Sequence, residues 1–125
     1  MSQSDLQCEF TYLLGRLIGF AESRGLKIVL KEAHRPPAWQ LILFYGIDIK
    51  LNGDTIKVEG GRTKTKNSKH MEGVAADIVL FKADKKSLAE PEDYRVLGDY
   101  WKRLDYRCVW GGDWGWDSDH FQLTK

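Results

Sequence analysis

A nine-residue apolar run, Gly73-Val74-Ala75-Ala76-Asp77-Ile78-Val79-Leu80-Phe81, is interrupted by a single carboxylate. Such a run, bounded by a glycine and rich in branched residues, predicts a central β-strand. Asp77 would then be buried, and a lone buried carboxylate is expensive unless a partner offsets the desolvation. Any fold for this chain must bring that partner to Asp77.

The flanking residues suggest what it is. Ser68-Lys69-His70-Met71-Glu72-Gly73-Val74-Ala75-Ala76-Asp77 reads S-x-H-x-x-G-x-A-x-D, and His120 follows in Asp117-Ser118-Asp119-His120-Phe121-Gln122. Two imidazoles and a carboxylate, His70, Asp77 and His120, are three good zinc ligands. A catalytic zinc site typically has three protein ligands and a fourth position open to water. One catalytic zinc ion is therefore expected, although similar donor sets accept other divalent metals.

These segments resemble zinc peptidases that cut bacterial cell-wall peptides. The group includes D-alanyl-D-alanine carboxypeptidases and dipeptidases of the VanX and VanY type, and phage L-alanyl-D-glutamate endopeptidases. The S-x-H-x-x-G-x-A-x-D block and the later D-x-x-H-F carry most of the resemblance, which spans roughly residues 26–123. Arg35, in Lys31-Glu32-Ala33-His34-Arg35-Pro36, matches the family's central Arg. Trp110-Gly111-Gly112-Asp113-Trp114 resembles the segment before the last motif in the phage members.

The resemblance implies further roles. Asp117, three positions before His120, would be the general base and acid; Asp113 and Asp119 are its local rivals. Asp119, as the neighbour of His120 on a strand, should point away from it. Arg35 would stabilise the oxyanion or hold a substrate carboxylate, for which a permanently charged planar guanidinium is suited. Ser68 would bond the substrate backbone or shape the loop. His34 is read as non-ligating. Trp110, Trp114 and Trp116 crowd the approach to His120, either as packing or as a wall that positions the peptide.

At 125 residues the chain is read as one catalytic domain, 1–125. Its net charge of +1 offers no basic field for nucleic acid. The basic cluster from Arg62 to Lys69 reads as a solvated loop. No apolar run reaches membrane-spanning length, and the N-terminus lacks the basic start and apolar core of a signal peptide. Synthesis in a host cytoplasm is expected, with later release to the periplasm or wall, as in phage lysis. The expected partner is the peptidoglycan stem peptide, and the expected state is a monomer. Cys8 and Cys108 fit no metal or redox spacing and read as buried free thiols.

Along the chain, Ser4 and Gln7 form a candidate capping box. Leu6, Phe10, Leu13, Leu14, Leu17, Ile18 and Ala21 recur at helical spacing, with Gly25 as the stop. Lys27–Glu32 predicts a strand and Pro37–Tyr45 a helix. Ile47–Val58 predicts a hairpin about Asn52-Gly53, and Gly60–Met71 a polar loop. Pro91–Leu104 predicts a helix carrying Tyr94, Leu97, Tyr100 and Trp101. Tyr106–Trp110 and His120–Leu123 predict short strands. Together these give an α+β fold: a small antiparallel sheet with helices mainly on one side, as in hedgehog domains and D-Ala-D-Ala peptidases. The function expected is hydrolysis of a stem-peptide amide, at L-Ala–D-Glu in phage lysis. The alternatives are D,D-carboxypeptidase action at D-Ala–D-Ala and a non-catalytic, hedgehog-like zinc module.

Overall fold

The computed structural model describes residues 2–33, 41–42, 44–61, 69 and 72–124. The first helix, α1, spans Gln3–Ser23 and starts half a turn earlier than Ser4 would place it. Ser2 is the N-cap. Its hydroxyl accepts from the Asp5 N–H at 3.1 Å, and the Asp5 carboxylate accepts from the Ser2 N–H at 3.0 Å. A charged acceptor on a short side chain suits the positive end of a helix. Gln7 is thereby left to reach across to Glu72. Leu6, Phe10, Leu13, Leu14, Leu17 and Ala21 form the buried stripe. Gly25 follows the helix with φ 76°, a left-handed conformation that glycine adopts without penalty.

Strand β1 (Lys27–Glu32) pairs antiparallel with β4 (Ala75–Phe81). β2 (Ile47–Leu51) and β3 (Asp54–Val58) form a separate hairpin turning at Asn52-Gly53, both with positive φ. β5 (Cys108–Trp110) and β6 (His120–Leu123) complete the main sheet, in the order β1-β4-β6-β5. β4 is therefore central, as its apolar run predicts. Helix α2 spans Pro91–Leu104, the predicted boundaries. A 3₁₀ turn, Gly111–Trp114, links β5 toward β6 and is not foreseen from the sequence. The helix predicted at Pro37–Tyr45 falls partly outside the described residues; Leu41, Ile42, Phe44 and Tyr45 are helical. Most of the predicted loop at Gly60–Met71 also lies outside them.

The core lies between one face of the sheet and the two helices. Ala76, Ile78, Leu80, Phe121 and Leu123 from the sheet meet Phe10, Leu17, Leu97 and Trp101 from the helices. Trp101 is the hub: its ring stands edge-on to Phe10 and Phe121, with centroids 5.9 and 6.0 Å away. Its indole N–H is shared between the carbonyls of Val109 and Gln122. The polarity of the buried indole is thus satisfied where β5 and β6 meet. The far end of β4 runs beyond β6, and the Tyr94 hydroxyl accepts from the Leu80 N–H at 3.0 Å. The resulting fold is α+β with helices on one side of the main sheet, as expected.

Both cysteines are free, but only Cys108 is buried; Cys8 is exposed, on the solvent side of α1. Burial pushes the Cys108 thiol up to about 12, so it packs as an inert apolar group. No helix among the described residues is long and apolar enough to cross a membrane.

Candidate metal centre

The opposite face of the sheet carries the polar groups. Side chains alternate along a strand, so Ala76, Ile78 and Leu80 enter the core while Ala75 and Asp77 face the other way. In the antiparallel β4–β6 pair, Asp77 lies directly opposite His120, and Ala75 directly opposite Gln122. The Asp77 carboxylate is 3.0 Å from His120 Nδ1. The partner that a carboxylate in β4 requires is therefore this imidazole.

Asp117 completes the cluster. It lies in the turn entering β6, which is closed by the His120 N–H donating to the Asp117 carbonyl at 3.1 Å. Its carboxylate is 3.9 Å from His120 Nδ1. Three contacts fix this turn. Trp110 donates its indole N–H to the Ser118 carbonyl at 2.7 Å. Ile78 donates its backbone N–H to the Asp119 carbonyl at 3.0 Å. Gly111 packs so closely that a Cβ there would collide with the Asp117 carbonyl and lie 2.9 Å from His120 Cβ.

The ligand atoms of Asp77, Asp117 and His120 all lie within 4.8 Å of one another. One imidazole and two carboxylates form a donor set that fits a divalent cation such as zinc. The electrostatics agree. Burial, the hydrogen bond with Asp119 and the charges of Asp77 and Asp119 push Asp117 up to about 6, against a smaller opposing effect of His120. Burial opposes protonation of His120. Its hydrogen bonds to Asp77 and Gln122, with the two nearby carboxylates, more than offset this and raise its pKa. A cluster that holds its protons this firmly has excess negative charge in a half-buried place, which a cation would neutralise.

Of the expected ligands, the structure brings Asp77 and His120 together; His70 lies outside the described residues, as do His34, Arg35 and Ser68. Asp117 stands beside the pair. Of its rivals, Asp113 turns outward to Lys102 at 3.0 Å. Asp119 lies in the turn before β6 rather than on the strand, and its hydrogen bond with Asp117 is one of the influences that raise that carboxyl's pKa. The three tryptophans divide. Trp110 is buried packing, Trp114 is half exposed with its ring 5.3 Å from that of His120, and Trp116 is exposed beside Trp114.

Three residues, Gln122, Gln3 and Gln7, are not foreseen as site residues. Gln122 bonds His120 Nε2 through its amide oxygen at 2.8 Å; its position two residues along the same strand is the signal, because it shares the face of His120. Gln3 and Gln7 on α1 donate to the Glu72 carbonyl at 3.1 and 3.0 Å, gripping the segment before β4. Gly73 lies against the Gln7 amide with φ 75°, the close approach expected of a glycine there.

Residues 61–123 match the sequence model of a peptidase family described as D-alanyl-D-alanine carboxypeptidase. The matched stretch, just over half of the chain, contains both motifs and every member of the cluster. Comparison with curated proteins gives no match.

Proposed function

Starting from a chain that belongs to the D-alanyl-D-alanine carboxypeptidase family of M15 peptidases, we propose that it is a zinc peptidase hydrolysing an amide bond in peptidoglycan stem peptides, as a phage endolysin cutting L-Ala–D-Glu. The observation that carries the reading is the convergence of Asp77, Asp117 and His120 on one point. Asp77 and His120, with His70, would hold the ion. Bound there, zinc would supply a Lewis acid that polarises the scissile carbonyl and makes a water acidic near neutral pH.

The chain's own residues would do the rest. Hydrolysis joins a water oxygen to the carbonyl carbon, breaks the C–N bond and moves a water proton to the leaving amine. Asp117 is suited to carry that proton. It is half-buried, adjoins the ligands and is pushed up to about 6, close to the operating range of a general base. Arg35 would meet the oxyanion or a substrate carboxylate, and Ser68 the peptide backbone. Trp114 and Trp116 would wall one side of the approach. The enzyme would be made in a host cytoplasm and act on the wall after release, as a monomer.

The family's description favours a second reading, D,D-carboxypeptidase action at D-Ala–D-Ala, with the same site. A non-catalytic zinc module is the third. The test is mass spectrometry of purified Gram-negative peptidoglycan after incubation, with and without a chelator. Chelator-sensitive release of peptides beginning at D-Glu supports the endopeptidase reading. Loss of a terminal D-Ala alone moves it to carboxypeptidase, and no product from folded, zinc-loaded protein opposes catalysis on this wall. Asp117→Asn should lower turnover by roughly 10²–10⁴-fold, the range of general acid–base catalysis, while zinc stays bound. Loss of zinc in that variant would make Asp117 a ligand instead.

A further inference from the structure

We propose that a groove beside Trp116 seats the amino sugar to which a stem peptide is attached. The inference rests on the L-Ala–D-Glu endopeptidase reading, in which the scissile bond lies one residue from the sugar linkage. The groove has a volume of about 460 Å³, within the range of small-molecule sites. It is lined by Glu92 and Arg95 of α2 and by Trp110, Gly112, Trp116 and Ser118 between β5 and β6. Trp116 belongs to both the groove and the approach to the metal centre. Its ring lies 5.7 Å from that of Trp114, which lies 5.3 Å from that of His120. Trp116 is 76% exposed, and a large aromatic surface held in water beside a cleft is a recurrent mark of a binding site.

The lining suits a sugar. One face of a pyranose presents C–H groups with slight positive charge, and the face of an indole is negative. Sugar hydroxyls both donate and accept; Arg95 supplies only donors and Glu92, as a carboxylate, only acceptors. These two side chains meet at 3.7 Å and are largely exposed, a weak contact that a ligand opens at little cost. Length agrees as well. L-Ala and its lactyl linker together span roughly 7 Å when extended. That span and the sugar ring itself cover the two ring-to-ring steps from His120 to Trp116. A D-Ala–D-Ala bond lies four residues and the linker from the sugar, roughly 17 Å when extended, which would carry the sugar past Trp116.

The test uses two soluble peptides with the same stem. One carries N-acetylmuramic acid on L-Ala, and the other carries lactate alone. The first readout is the ratio of their kcat/KM values with zinc-loaded protein. The second is the NMR shift of the Trp116 indole N–H on titration with N-acetylmuramyl-L-alanine or lactyl-L-alanine. Wild type should favour the sugar-bearing peptide by roughly 3–10-fold, the effect of one aromatic contact with its hydrogen bonds. Trp116→Ala and Arg95→Ala should each lower that ratio toward one. The indole signal should move with the muramyl compound and not with the lactyl one. Equal kcat/KM for the two peptides, with an unmoved indole signal, overturns the inference and leaves the endopeptidase reading standing. If neither peptide is cut but the indole signal moves with the sugar alone, the peptidase reading fails and the sugar site stands.

Discussion

Gly98 on α2 lies directly against the face of the Trp110 indole, leaving no space for even a methyl group. Trp110 in turn holds the Ser118 carbonyl, so this contact connects the helix to the turn that carries Asp117. Gly98→Ala would gain helix propensity in an isolated peptide. In the folded protein it should be destabilising by roughly 1–3 kcal/mol through overpacking. Urea denaturation measures it, and a stabilised variant would show that the indole moves aside at little cost.

Tyr94→Phe removes the hydroxyl that accepts from the Leu80 N–H. The donor lies where β4 extends past β6, so no strand replaces the lost partner. A loss of about 1–2 kcal/mol is expected, the cost of a poorly satisfied buried donor. Hydrogen exchange at Leu80 should accelerate more than at Ile78, whose N–H bonds the Asp119 carbonyl. Equal acceleration at both would mean that the substitution loosens the whole strand.

The Asp117 carboxyl should contribute a loss of stability to the metal-free protein as pH rises from about 4 to 6. Asp117 titrates at about 6 when folded, against 3.8 ordinarily. Between these values the folded chain holds a proton that the unfolded chain has released, so raising pH favours unfolding. Above the folded pKa the loss is complete. Asp117→Asn removes this contribution, so its stability relative to wild type should improve across the window in chelator-treated samples. A pH-independent difference between the two would show that the folded carboxyl titrates in the ordinary range.

How much of the fold and site is legible in the sequence depends on where the information is local. The α2 limits follow from Pro91 and the spacing of Leu97 and Trp101. The β2–β3 turn follows from Asn52-Gly53, whose positive φ values few other pairs supply. The α1 start does not, because Ser2 and Ser4 are both plausible caps. The choice falls to Asp5, whose carboxylate bonds both the Ser2 N–H and the Ser2 hydroxyl. Asp77 and His120 are legible as chemistry, but their opposition across β4–β6 is a long-range register that local patterns do not encode. The 3₁₀ turn is hidden because Gly111 and Gly112 are defined by what presses on them: the Asp117 turn and the Trp110 ring. Cys8 reads as a buried thiol by residue type alone, yet α1 turns that position to solvent.

The placement of β6 between β4 and β5 has a kinetic consequence. Asp77 and His120 are 43 positions apart and meet only after a long loop has closed, which is slow compared with forming α1 or the β2–β3 hairpin. A partly folded chain with both helices formed but β6 unpaired would have most of its secondary structure and no place for an ion. Metal uptake would therefore mark the final closure of the sheet, and the rate at which zinc is captured during refolding would time it.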